Sequence, residues 1–117
     1  MKKSVVTHIG EEAISVKDPL IILFDNSATE ALKAVSVIQE FETKEELELI
    51  VGGKLLFDEQ EYSIKQVGPI ANDNFKSMGH VTVFFKEITE DDMSANAVYV
   101  EPYIVPEIKK GTIISYT

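Results

Sequence analysis

A chain of 117 residues, 44% hydrophobic and 26% charged, has the size and balance of one globular domain. Such a domain buries about two-thirds of its unfolded surface and folds without a metal or a disulfide. A formal net charge of −9 has the wrong sign for binding phosphate backbones, so no nucleic-acid partner is expected, while solubility and basic protein partners are favoured. The absence of cysteine removes disulfides, thiolate nucleophiles and cysteine-type zinc sites. No apolar run approaches the ~20 residues of a membrane helix. Lys2 and Lys3 are not followed by an apolar stretch, so no secretory leader is expected, and a reducing cytoplasm fits.

In chain order, Val5-Val6-Thr7-His8-Ile9 is β-branched and stops at Gly10, which predicts a strand. Residues 20–24 follow Asp18-Pro19 and end at the turn pair Asp25-Asn26, a second strand. Ser27 and Glu30 have capping-box spacing ahead of Ala31, Leu32, Lys33 and Ala34, which leaves room for one or two helical turns. In the β-branched run that follows, Val35, Val37, Gln39 and Phe41 alternate with Ser36, Ile38 and Glu40. Thr43 could cap a helix over residues 43–49, or residues 47–51 could form a strand cut by Gly52-Gly53; the pattern supports both. Residues 54–57 and 62–67 read as a hairpin around residues 58–61. A polar loop bounded by Gly68 and Gly79 leads into a strand over residues 80–85, and residues 90–93 allow a single helical turn. Residues 98–100 and 112–116 are the last strands; between them, Pro102 and Pro106 bracket an extended segment suited to an edge or a connection. Many short strands with frequent turn signals predict an all-β fold: a small antiparallel barrel or sandwich with one or two short helical turns, as one domain over residues 1–117.

Two histidines are the main candidates for covalent or acid–base chemistry near neutral pH. On the strand that follows Gly79, His80, Thr82 and Phe84 share one face and Val81, Val83 and Phe85 the other. The glycine permits a sharp turn or a close approach. An imidazole with its ordinary pKa of about 6.5 keeps a neutral nitrogen that can attack phosphorus or move protons. The competing reading of His80 is structural, a ring bonded to a backbone carbonyl at a loop–strand junction. His8 lies mid-strand with Val6 and Gly10 on its face, and only Glu11 and Glu12 nearby could orient it. No metal or cofactor is expected, because neither His-Glu-x-x-His nor Asp-x-Asp-x-Asp-Gly occurs. Asn72-Asp73-Asn74 could hold a cation, but such triplets more often make side-chain-to-backbone turns. Gly52-Gly53-Lys54 lacks the spacing of a phosphate loop, Ser63, Ser77 and Ser94 lack a nucleophile elbow, and Glu11-Glu12, Glu45-Glu46 and Asp91-Asp92 read as solvated pairs.

The run Val67-Gly68-Pro69-Ile70-Ala71-x-Asp73-Asn74-x-x-x-x-Gly79-His80-Val81-Thr82 resembles the signature stretch of the glucitol/sorbitol-specific enzyme IIA component of the bacterial phosphoenolpyruvate-dependent sugar phosphotransferase system. Thr7-x-Ile9-Gly10-x-x-Ala13-Ile14 is similar to that family's opening, and Val105-Pro106-x-Ile108-x-x-Gly111-x-x-Ile114 to its close, so the likeness covers nearly the whole chain. The resemblance implies a cytoplasmic, barrel-like phosphocarrier. It would take a phosphoryl group on histidine from the general histidine phosphocarrier protein and pass it to the IIB unit, while the membrane IIC unit imports the sugar alcohol. It also implies that the acceptor histidine lies on the strand of residues 35–41, at the position of Gln39, and an amide cannot accept a phosphoryl group.

Three readings follow. In the first, the phosphotransferase component is active and His80 is its catalytic residue, with Thr82 and the amides of Asn72 and Asn74 supplying donors to the phosphoryl oxygens. In the second, Gln39 marks a relative that binds or regulates without being phosphorylated. In the third, the barrel holds a small molecule in an apolar pocket lined by Phe24, Phe57, Phe84 or Tyr103, against which a filled core is the simpler expectation. Exposed edge strands in so small a β-domain would make a twofold homodimer reasonable.

Overall fold

The period-two alternation of apolar residues decides which face of each strand turns inward. Val6, Leu23, Val37, Leu55, Val83 and Ile114 are all sealed in one core. The computed structural model describes residues 1–117 except 16, 43–45 and 89–93. Eight strands are formed: β1 (Lys2–Ile9), β2 (Leu20–Phe24), β3 (Val37–Phe41), β4 (Lys54–Phe57), β5 (Gln60–Val67), β6 (Val81–Phe84), β7 (Ala97–Glu101) and β8 (Ile113–Tyr116). They close into a barrel in the order β1-β3-β2-β6-β7-β5-β4-β8. Two short helices, α1 (Glu30–Ala34) and α2 (Ala71–Met78), complete the described elements. The all-β expectation holds, in its barrel form.

Six of the eight strand pairs are antiparallel, while β2–β3 and β6–β7 are parallel. A parallel pair needs a crossover, and α1 lies within the one that joins β2 to β3. Closure gives each of the eight strands a neighbour on both sides, where the sequence suggested exposed edge strands. Neither helix is long and apolar enough to cross a membrane.

Several local readings are revised. The helix cap is Thr29, whose Oγ1 accepts from Leu32 N at 3.3 Å, while Ser27 donates its N–H and hydroxyl to Asp25 Oδ1. Helix α1 therefore starts later than the capping-box spacing placed it. The register slips between Val6 and His8, so Thr7 is an extra residue in β1. Val6 opposite Gln39 points inward, and His8 opposite Ile38 is exposed, so the two do not share a face. Residues 46–50 form neither strand nor helix. Residues 43–45 of the alternative helix, and the helical turn expected at residues 90–93, lie outside the described residues. The aromatic pocket does not form. Phe57 is in the filled core, Phe84 stacks on Tyr99 with centroids 5.0 Å apart, and Tyr103 is exposed.

The end of β1 packs directly on the end of α1. Gly10 N donates to Ser36 O at 3.0 Å and Glu12 N to Ala34 O at 2.9 Å. A Cβ at Gly10 would sit 2.1 Å from Lys33 O and 2.3 Å from Ala34 O, both main-chain atoms that cannot swing away. Gly10→Ala is expected to destabilise the barrel by about 1–3 kcal/mol, as overpacking does. Urea unfolding should show a lower midpoint with an unchanged slope.

Candidate functional site

The polar stretch before His80 is a helix, where the sequence suggested a loop. Ala71 and Phe75, one helical turn apart, are both buried in the barrel core and supply the apolar face that orders α2. Phe75 packs edge-on against Phe41 at 5.6 Å and lies 4.9 Å from Tyr116. Gly79 ends the helix in the left-handed conformation, φ 56° and ψ 27°, with its N–H bonded to Phe75 O at 3.0 Å. A Cβ there would approach Phe41 Cε2 to 2.8 Å, so both the dihedral and the space require glycine. The chain turns at Gly79 and delivers His80 to the start of β6.

The structural and the chemical readings of His80 both find support in one geometry. The ring is half-buried and stacks on Phe24 with centroids 4.2 Å apart and planes inclined by 28°. Its Nδ1 lies 3.0 Å from Leu23 O. A carbonyl oxygen can only accept, so Nδ1 carries the proton and the lone pair of the neutral ring sits on Nε2. No partner bonds Nε2 among the described residues, and it is not one of their sealed polar atoms. Phe24 belongs to a small cluster on the outer side of the sheet with Ala28, Ile38 and Met78, which anchors the stacking face. The expected faces of the strand are observed: Val81, Val83 and Phe85 are buried, and His80, Thr82 and Phe84 are half-buried on the other side.

Of the proposed companions, Thr82 shares the His80 face. Asn74 is held close through its main-chain carbonyl, which accepts from His80 N at 3.3 Å. Asn72 is not available. Its amide clasps the backbone of Leu49, accepting from Leu49 N at 2.7 Å and donating to Leu49 O at 2.9 Å. The Asn72 side chain thus satisfies the two backbone groups of Leu49 that a ladder would otherwise pair. His8 is exposed in a groove lined also by Thr7, Asn26, Lys33 and Ile38, and His80 is not among its lining residues.

Gln39 points into the core and is fully buried. Its Oε1 accepts from Ser4 Oγ at 2.6 Å and from the Tyr116 hydroxyl, and its Nε2 donates to Gly79 O at 2.9 Å. The position to which the resemblance assigns the acceptor is thus a sealed amide with its carbonyl doubly engaged. Nothing in local spacing announces this network, nor the roles of Leu23 and Phe24, because its members come from β1, β3, β8 and the α2–β6 turn. Burial pushes the Tyr116 phenol well above its ordinary value near 10. The Tyr62 phenol is also raised by burial.

The closed β-barrel, matched along nearly the whole chain, defines a phosphocarrier component of the sugar phosphotransferase system, the IIA class. The comparisons narrow it. Residues 1–115 match the family model described as PTS system glucitol/sorbitol-specific IIA component, and the chain belongs to that family. It is 27% identical over 116 residues to the glucitol/sorbitol-specific EIIA component of Escherichia coli, covering 97% of this chain and 92% of that protein. It also resembles the crystal structure of a PTS system IIA component from Enterococcus faecalis, with a TM-score of 0.92 and 40% identity over 97% of this chain and 98% of that one.

Two outcomes are expected. Asn72→Ala should cost about 1–3 kcal/mol in urea unfolding, the penalty for stranding the two Leu49 groups, and should leave phosphoryl acceptance unchanged. For Tyr116, the folded-state pKa is raised, so the native state keeps its proton where the unfolded chain loses it. Stability from this group is therefore intact below about pH 10 and declines above it, by up to about tenfold in the folding constant per pH unit. Tyr116→Phe should flatten that alkaline decline, measured as urea midpoints against pH.

Proposed function

We propose that this IIA component carries its phosphoryl group on Nε2 of His80. The observation that carries the reading is the unpaired Nε2 beside a bonded Nδ1. With the proton held on Nδ1 by Leu23 O, the Nε2 lone pair attacks the phosphorus of the donor's phosphohistidine. The N–P bond on the donor breaks as the new one forms, and the donor nitrogen keeps the electron pair. The proton stays on Nδ1, donated to the Leu23 carbonyl, and that bond supports the positive charge that phosphorylation places on the ring. The Phe24 face limits ring rotation, which keeps Nε2 aimed at an incoming group. Thr82, on the same face, would donate to a phosphoryl oxygen.

The donor in this reading is the general histidine phosphocarrier protein, and the acceptor is the IIB unit of a sugar-alcohol transporter whose IIC unit spans the membrane. The protein works as one domain in the cytoplasm and meets the membrane only through those partners. A net charge of −9 favours a donor with basic charge around its own histidine. Relay on His80 also fits the sealed Gln39, since a fully buried amide offers no acceptor at the position that the resemblance indicates.

The test supplies phosphoenolpyruvate, the two general phosphotransferase proteins and this chain, and measures acid-labile phosphate. Label is expected on wild type and on His8→Ala, with loss of at least about a hundredfold in His80→Ala, as for removal of a nucleophile. An unlabelled wild type overturns the relay, and label that survives in His80→Ala overturns the assignment of the residue.

A further inference from the structure

The main-chain peptide between Gly79 and His80 is held from both sides. Its carbonyl accepts from Gln39 Nε2 at 2.9 Å, and its N–H donates to Asn74 O at 3.3 Å. The direction in which the His80 side chain leaves the backbone follows from the plane of this peptide. Gly79 lacks a side chain and has a wide choice of dihedrals, so it cannot fix that plane by itself. The orientation of the Gln39 amide is settled by chemistry. Gly79 O can only accept, so Nε2 must face it, and Oε1 must then face Ser4 Oγ and the Tyr116 hydroxyl, both of which can donate. Turned the other way, the amide would set Oε1 against the Gly79 carbonyl, two acceptors with no hydrogen between them.

The other supports of the ring lead back to the same strand. Leu23 and Phe24 on β2 pair in parallel with Val37 and Ile38 on β3, directly before Gln39. Leu23 O holds Nδ1, and Phe24 carries the ring face. One segment of β3 therefore sets both the peptide from which the imidazole departs and the strand against which it rests.

We propose that Gln39 is a positioning residue for phosphoryl transfer: through the Gly79 carbonyl it fixes the angle at which His80 presents Nε2. This rests on the reading of His80 as the acceptor. Gln39 touches neither the ring nor the phosphoryl group and acts only through the peptide it holds.

The experiment compares Gln39→Met, which keeps the length and approximate volume of the side chain but removes its donor and acceptor, with Val100→Ala, a buried truncation on β7 that weakens the barrel without touching this peptide. Two quantities are read in each protein: the ring nitrogen resonances of His80 in histidine-labelled protein, which report the tautomer, and the rate of phosphoryl transfer onto His80. Gln39→Met is expected to move the ring resonances away from the pure Nδ1–H form and to slow transfer roughly ten- to a hundredfold, the scale of a small misplacement. Val100→Ala should lower the unfolding midpoint and leave both readings at wild type. Ring resonances and rate that stay at wild type in folded Gln39→Met overturn the proposal, as does an equal change in Val100→Ala. If Gln39→Met does not fold, Gln39→Leu removes the same donor and acceptor with a smaller apolar side chain. The same displacement of the His80 resonances is expected, and its absence overturns the proposal. A wild type that takes no label ends the relay on His80, while the ring resonances still decide the part played by Gln39.

Discussion

One tight turn governs the arrangement: the left-handed glycine that separates α2 from β6. Gly79 lies against Phe41 with no room for a methyl group and adopts a dihedral that other residues avoid. From that constraint follow the end of α2, the departure of β6 and the position of the only half-buried histidine. Downstream, a hydrogen bond from Nδ1 and a ring stack each contribute about 1 kcal/mol. Together they exceed thermal energy several-fold and keep the imidazole in one orientation. A ring held this way has little freedom left to lose.

A buried amide inside an apolar barrel would be costly if any of its bonds were missing. Gln39 is tolerated because two hydroxyls and a carbonyl meet it, from β1, β8 and the turn at Gly79. Those partners lie far apart in sequence, so the network forms only when β1, β3 and β8 are in the correct register. A shift of one residue would turn Gln39 outward and Glu40 inward, losing the three bonds and burying a charge. The polar centre therefore helps specify how the barrel closes.

Much of the barrel could be read from alternation alone. Strands such as β2 and β4, and the faces of β6, follow directly from where apolar residues recur at every second position. What escaped reading has physical causes. Asn72, Asp73 and Asn74 are poor helix formers, so α2 looked like a loop; its two clues were Ala71 and Phe75 one turn apart and Gly79 just past the end. Leu47-Glu48-Leu49-Ile50-Val51 looked like a strand, but Leu49 is buried with its backbone bonded by the Asn72 side chain, a contact that spacing cannot forecast. The extra residue Thr7 reversed the face of His8, because a bulge shifts the alternation without a marker in composition. At the site, His80 and its strand face were legible. The carbonyl of Leu23, the ring of Phe24 and the amide of Gln39 were not, since each comes from a different strand and meets the histidine only once the sheet has closed.

Closure has a further consequence for how such a molecule meets others. A sheet with an open side can recruit a neighbour by extending its ladder, and main-chain zippering of that kind makes long-lived complexes. Here each of the eight described strands already has a neighbour on both sides. A visitor can touch only side chains and loops, so its hold depends on local shape and charge, and separation breaks no β-ladder. A carrier that must release its customer after every delivery is well served by a surface that gives it nothing to grip.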